Sequence, residues 1–213
     1  TALAHNIPVL GINRGRLGFL TDIRPDNLES IGSILKGHYH QESRFLIQAD
    51  LHIDGVCQNS IVAINDIVLM PGDVAHMIEF DTFVNDQLVY HQRADGMIIA
   101  TPTGSTAYAL SGGGPIIQPG IDALVLVPMF PHTLSSRPIV LPSSSHIKLT
   151  INEDNDATPY ISNDGIDRIA AQLGSEIHIT QHEKKLQLIH PLDYNYFTTL
   201  RDKLGWEHQA SRR

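Results

Sequence analysis

Between Arg44 and His190 the chain is built of short β-rich runs that alternate with Gly, Pro, Asn and Asp, and this density of strands limits what it can fold into. RFLIQADLHI, the pair Asp54-Gly55 and VCQNSIVAINDIVLM predict strands around a two-residue hairpin turn. AHMIEFDTFVNDQLVYHQR places Ile78, Phe80 and Val84 on one face and turns at Asn85-Asp86. Further strands are expected at LVLVPM, PIVLP, HIKLTIN, TPYISND, SEIHIT and KLQLIH. Strands this short, at this spacing, predict an antiparallel β-sandwich or a related closed sheet.

The two ends read differently. IPVLGINRGRLGFLTD (7–22) runs from a short apolar stretch into a connection holding Gly11, Gly15 and Gly18, the pattern of a parallel strand followed by a glycine-rich turn. After Pro25 and Asp26, Leu28, Ile31, Ile34 and Leu35 recur at helical spacing and Gly37 supplies a stop. One strand–loop–helix unit cannot cover both faces of a parallel sheet, so the rest of such a sheet is expected outside this segment. The opening TALAHN reads as the end of a helix. In the tail, Tyr196, Leu200 and Leu204 stand at steps of four before Gly205, a helix expected to pack back on the first segment. The fold class expected is therefore α+β and multi-domain. Residues 1–43 would be the remainder of an N-terminal α/β domain, 44–190 an all-β sandwich, and 191–213 a helical tail returning to the α/β part.

Composition removes several function classes. A formal net charge of −8 with no basic stripe argues against a nucleic-acid partner. No run approaches the roughly 18 to 20 apolar residues of a membrane span, and TALAHNIPV has no basic start or apolar signal core, so a soluble, unsecreted, cytoplasmic protein is expected. The single cysteine, Cys57, can form no internal disulfide, which suits a reducing compartment. Of 12 histidines, His38 and His40 share a face if HYH is a strand, but nothing else recurs at a ligand spacing, and a solvated surface is the expected setting.

Three stretches could carry chemistry. In DGMIIATPTGSTAYALSGGGP (95–115) an apolar strand ends near Thr101, Pro102 blocks ladder donation, and Gly104 permits a turn without a Cβ clash. Ser105 or Thr106 can then cap a short helix beginning at Ala107, whose free N–H groups suit a phosphate, a carboxylate or the polar edge of a purine. A plain capped turn stopped by glycines 112–114 fits the same letters. The stretch lacks the G-x-x-x-x-G-K-[ST] form, so it is no triphosphate cradle of the usual kind. AINDIVL (63–69) sets Asn65 and Asp66 inside an apolar strand, where they either find partners, face a cleft or mark a bulge or strand end in water. Asp95, in RADG (93–96), stands before the strand that feeds the hydroxyl-rich loop, as a site group or a turn residue. NRGRLGF (13–19) differs from the dinucleotide fingerprint and leaves Phe19 as core or as a stacking platform. PHTLSSRP (131–138) adds His132 and Arg137 on a loop between prolines.

Taken together and in this order, GINRGRLGFL, INDIVL, RADGMIIATPTGSTAYALSGGGPI and LVPMFPHTLSSRPIV resemble the bacterial NAD kinases. The resemblance runs over essentially the whole chain, including IHPLDYNYFTTLRDKLGW. It implies a Rossmann-like N-terminal α/β domain, a C-terminal β-sandwich with NAD bound between them, and assembly as a dimer or tetramer. It also implies transfer of a phosphoryl group from ATP, or another donor, with a divalent cation such as Mg2+, to the 2′-hydroxyl of the adenosine ribose of NAD, giving NADP. Adenine and ribose contacts would fall on Asn65, Asp66, Thr103, Thr106 and Tyr108, with Phe19 near the adenine. Asp95 and Ser111, with Arg93 and Ala107, would line the rest of the groove, and His76 is a further candidate.

Two departures from the family pattern follow. Asn65-Asp66 stands where the family reads Asn-Glu, one methylene longer. The family's Gly-Gly-Asp-Gly loop, with its proposed base or metal-organising Asp, is nowhere in these 213 residues; Asp54, Asp95 and Asp164 each precede one glycine without following two. No catalytic residue and no metal ligand is therefore assigned in this chain, which is expected to be the NAD-holding part of the enzyme and inactive alone. The competing expectations are a non-catalytic NAD(P)-sensing module and a lipid or sugar kinase of related architecture.

Overall fold

The computed structural model describes residues 2–13, 19–21, 23, 27, 29–73, 76–133 and 135–206. In chain order the strands and helices are β1 (Val9–Leu10), α1 (Glu29–Leu35), β2 (His40–Ile53), β3 (Val56–Ala63), β4 (Asp66–Met70), β5 (Ile78–Val84), β6 (Gln87–Ala94) and β7 (Gly96–Ala100). There follow α2 (Tyr108–Ser111), β8 (Ala123–Met129), β9 (Ile139–Pro142), β10 (Ile147–Ile151), β11 (Tyr160–Asn163), β12 (Asp167–Ala170), β13 (Glu176–His190) and α3 (Tyr196–Leu204). Two compact units result, one of Thr1–Arg44 with Lys185–Arg213 and one of Phe45–Lys184.

The larger unit is a sandwich. One sheet runs β3-β2-β13-β10-β5-β6 and the other β12-β11-β4-β7-β8-β9. Their facing sides make one core. Ile47, Phe80 and Leu149 from the first sheet meet Leu69, Met97 and Leu126 from the second, none more than 1% exposed. The second sheet is covered on its other side too, where Ala109 of α2 packs on Ile98, Val125 and Val127. That double burial is why GMIIA and ALVLVP read as unbroken apolar runs instead of alternating ones. Asp54-Gly55 and Asn85-Asp86 all have positive φ, the geometry that closes a two-residue hairpin without splaying its strands.

Where the structure departs from the sequence expectation, the reason is local. SEIHIT and KLQLIH are one strand, β13, because the polar QHEK between them pairs onward without a turn residue. DRIA, too short and polar to stand out, forms β12 beside β11. VCQNSIVAINDIVLM is not one strand. It breaks at Ile64–Asn65, with β3 in the first sheet and β4 in the second, so the polar pair marks the crossing between sheets.

In the smaller unit β1 pairs in parallel with Leu188–Ile189, and α3 starts at Asn195, whose side chain accepts from the N–H of Phe197 and Thr198 at 3.0 and 3.1 Å. Gly205, at φ 65, ends that helix. Leu200 is its buried residue, and Lys203 lies over the Phe19 ring at 5.6 Å. Gly15, Gly18, Pro25, Asp26 and Leu28, used in the sequence expectation for this segment, lie outside the described residues.

The crossing at 64–65 is locked to the turn after β7. The Asn65 carbonyl accepts from the Thr101 N–H at 2.9 Å, and the Ile64 carbonyl accepts from the Thr101 hydroxyl. Gly104 lies so close that an added Cβ would stand 2.0 Å from the Asn65 carbonyl oxygen. Gly104→Ala must displace backbone, at a cost of about 3 kcal/mol or more. Its thermal midpoint, followed by circular dichroism, is expected roughly 6–12 °C below that of the parent chain.

Candidate functional site

The sequence pattern pointed to two segments, 65–66 and 101–111, and the larger unit brings them together. Strands β4 and β7 are paired with Asp66 opposite Ala100, so the first residues of one strand meet the turn that leaves the other. A cavity of about 290 Å³ opens there, with Asn65, Asp66, Ala107, Tyr108, Ser162 and Asp164 on its wall. A second, of about 530 Å³, shares Tyr108 and takes Ser111, Met129 and Phe130.

The turn is held by its own hydroxyls. Thr101 Oγ1 also accepts from the Gly104 N–H at 3.1 Å, Ser105 Oγ donates to the Pro102 carbonyl at 2.6 Å and accepts from the Ile117 N–H at 2.9 Å, and Thr106 Oγ1 donates to the Thr103 carbonyl at 3.1 Å. Thr101 and Ser105 have no exposed surface, and Thr103 is buried. Neither Ser105 nor Thr106 caps a helix at Ala107; α2 begins one residue later with no side-chain cap and is a single turn. The N–H of Gly104, Ser105 and Ala107 bond within the turn and are not available to a ligand. Those groups shape the loop, and what it presents outward is the Tyr108 ring, 46% exposed.

Asp66 is in the opposite situation. Its residue is 4% exposed, and its carboxylate finds no hydrogen-bonding partner among the described residues. Burial first, and then the negative charge of Asp164, raise its pKa from 3.8 to about 6. A carboxylate in this position costs the fold energy unless something from outside completes it.

Asp164 explains how the crossing keeps its shape. Its Oδ1 accepts from the N–H of Asn65 and Asp66 at 2.7 and 3.1 Å, and its Oδ2 from the N–H of Ile64 at 2.9 Å. Hydrogen bonds from N–H groups to an ionised acceptor are worth about 1.5–3 kcal/mol each. Strand β11 carries Asp164 there, because pairing with β4 sets Asn163 opposite Ile67. Sequence reasoning saw Asp164 only as a residue before a glycine. No linear spacing links it to residues 64–66, about a hundred positions away.

The other candidates are placed as follows. Arg93 is exposed and pairs with Glu79 at 3.7 Å; Asp95 is half-buried, its N–H donating to the Met129 carbonyl at 2.9 Å; His76 is exposed. None of the three is on the wall of either cavity. Phe19 belongs to the smaller unit. His38 and His40 are exposed, as a solvated surface pair would be. Among the described residues no group of three or more His, Cys, Asp or Glu side chains is arranged to hold a metal ion.

Comparison with known proteins bears on this site. Residues 64–191 match the model of the ATP-NAD kinase C-terminal domain, and residues 1–42 that of the ATP-NAD kinase N-terminal domain. NAD kinase from Coxiella burnetii (strain RSA 493 / Nine Mile phase I) is 56% identical over 211 residues, 99% of this chain and 71% of that protein. NAD kinase from Pseudomonas fluorescens (strain Pf0-1) is 53% identical over 205 residues, 95% of this chain and 69% of that protein. Among solved structures, yeast NADH kinase complexed with NADH superposes with a TM-score of 0.86 at 30% identity, over 97% of this chain. The chain spans 60% of that yeast protein's length. An NAD kinase from Archaeoglobus fulgidus in complex with ATP gives 0.71 at 26% identity, over 93% of this chain and 72% of that one. With the shared sequence lying across both the sandwich and the smaller unit, the chain belongs to the NAD kinase family.

Proposed function

We propose that the cavity between the Asn65–Asp66 step and the Thr101–Ser111 turn receives the adenosine half of NAD, as the acceptor side of an NAD kinase. The observation that carries this reading is the Asp66 carboxylate, on a residue 4% exposed, without a hydrogen-bonding partner among the described residues and on the cavity wall. A ribose offers hydroxyl donors that would satisfy it. The Asn65 amide both donates and accepts, which matches the edge of an adenine, and the Tyr108 ring offers a face for stacking. The larger cavity on the other side of Tyr108, with Ser111 on its wall, would take the remainder of the dinucleotide. Thr103, Thr106 and Ala107 would support this surface from the turn, and Phe19, His76, Arg93 and Asp95 stay in the proposal as more distant contacts.

In the reaction proposed for the whole protein, the ribose 2′-oxygen attacks the terminal phosphorus of ATP, the bond to ADP breaks, and the hydroxyl proton passes to a base. Such transfer depends on alignment and on neutralising charge on the phosphoryl oxygens. This chain's share is alignment of the acceptor: Asp66 fixes the ribose, and Asn65 and Tyr108 the base. The Gly-Gly-Asp-Gly sequence is not among these 213 residues, so the phosphoryl step is not assigned to any of them. A divalent cation, Mg2+ by the chemistry of the donor, would be held largely by the phosphates themselves. No described carboxylate cluster fits it, and no step here runs through it. The proposal includes a homo-oligomer, for which the exposed Phe130 and Tyr108 offer apolar surface. It also includes the cytoplasm, in keeping with one free, exposed cysteine; no described helix is long and apolar enough to cross a membrane.

Calorimetry on the folded chain is expected to show heat with NAD, NADP and adenosine, and the absence of heat with all three would remove the nucleotide site. Tyr108→Ala is expected to weaken NAD binding by about 1–3 kcal/mol, roughly 5- to 150-fold in Kd, with the fold intact. Asp95→Ala, farther from the cavity, is expected to raise the apparent KM for NAD of the full protein by a smaller factor.

Asp66 also gives a pH prediction with a definite sign. Because its folded pKa lies above the ordinary 3.8, folding is favoured while the group is protonated and loses stability as pH rises from about 4 to about 6. Asp66→Asn should remove that slope and gain up to about 3 kcal/mol at neutral pH, read from urea unfolding at pH 4 and pH 7. NAD affinity should run the other way, falling as pH drops through about 6 in the parent chain, because protonation turns one of the Asp66 acceptor oxygens into a donor and removes the charge that strengthens the other.

A further inference from the structure

Two carboxylates line the smaller cavity, and they do different work. Asp66 is buried and its carboxylate has no hydrogen-bonding partner among the described residues, whereas both oxygens of Asp164 are committed to the backbone N–H groups of Ile64, Asn65 and Asp66. Three successive N–H groups converge on one anion only where the backbone is curved into a concavity, and an anion in that concavity keeps it curved. Asp164 is itself fixed. Its φ is 48°, its N–H donates to the Asp66 carbonyl at 3.1 Å, and the preceding Asn163 amide donates to the Val62 carbonyl at 2.9 Å. The carbonyls of Ile64 and Asn65 are bonded on their other side to Thr101, so the crossing between the sheets is held from two directions. Without Asp164 only the Thr101 side would remain.

We propose that Asp164 is a positioning residue of the acceptor site: by clamping the N–H groups of residues 64–66 it aims the Asn65 and Asp66 side chains into the cavity where the ligand's adenosine is held. This rests on the reading of that cavity as the NAD site. The charge of Asp164 has a second effect, since it stands against the Asp66 backbone N–H and opposes the loss of the Asp66 proton. Besides these two, the titratable group on the cavity wall is the Tyr108 phenol from α2; Asn65 and Ser162 are neutral. Asp164 thus settles both where Asp66 reaches and at what pH it can accept a hydrogen bond.

The test uses Asp164→Asn and Asp164→Ala in the full chain, with Asp66→Asn beside them. In ligand-free protein, the Asp66 carboxyl is titrated by 13C NMR and the amides of 64–66 are followed by hydrogen exchange. In Asp164→Asn the Asp66 midpoint is expected about half a pH unit or more lower, and the three amides exchange roughly tenfold or more faster. Asp66→Asn should leave that exchange unchanged. NAD Kd at pH 7.5 should weaken roughly tenfold or more in both Asp164 variants. A folded Asp164→Asn protein whose Asp66 midpoint and amide exchange match the parent overturns the proposal. If neither Asp164 variant folds, the parent chain decides: an Asp66 midpoint near 4 with unprotected 64–66 amides overturns it, and a midpoint near 6 with protected amides supports it. Parent protein that shows the clamp and the raised midpoint but binds no NAD, NADP or adenosine refutes the nucleotide reading and leaves the clamp standing.

Discussion

The sandwich depends on one short crossing, where the chain leaves the first sheet at Ala63 and enters the second at Asp66. A backbone passing between layers gives up ladder partners on both sides, and its polar groups must be satisfied some other way. Here the carbonyls of residues 64 and 65 go to Thr101 and the N–H groups of 64–66 go to Asp164, with Gly104 left without a side chain so that the turn can lie against them. A segment chosen by topology to be irregular is made rigid by side chains from the β7 and β11 ends. Binding groups placed on it inherit that rigidity, which is what a site needs to align a nucleophile.

The cost sits on Asp66. A residue that only filled space at this point would be apolar, like Ile67 and Leu69 after it, and the chain would be more stable for it. Burial and a second carboxylate both work against its charge. A carboxyl lifted to about 6 is ionised in most molecules at neutral pH, yet holds that charge on a residue only 4% exposed and beside a second acid. Under the proposed reading, ligand hydroxyls would offset that cost on binding.

Much of the fold was legible because its signals are local. Asp54-Gly55, Asn85-Asp86 and the alternation in IEFDTFV each fix a hairpin or a face within a few residues, and Gly205 marks the end of the tail helix. The stretches 65–66 and 101–111 were each legible as a polar interruption beside a buried strand, and only the family resemblance implied that they meet. What stayed hidden depends on register. Asp164 reaches residues 64–66 because β11 pairs with β4 in one particular alignment, and nothing near position 164 announces it. The join of SEIHIT to KLQLIH was hidden too, since a polar stretch in a strand with one open face reads the same as a loop.

The hydroxyl-rich turn shows why residue type alone misassigns roles inside a correctly located site. Thr, Ser and Gly after a strand have the donors to bind a ligand, but the same donors are what a tight turn consumes, and here the turn takes them first. Ser105, with no exposed surface and bonds to both Pro102 and Ile117, serves to close the loop on itself. Once those hydroxyls are accounted for, the groups left facing the cavity are those the turn cannot use: an aromatic ring, an amide and a buried acid. A site of that kind suits a flat ring joined to neighbouring hydroxyls, which is the ground for the proposal that adenosine lies against this wall.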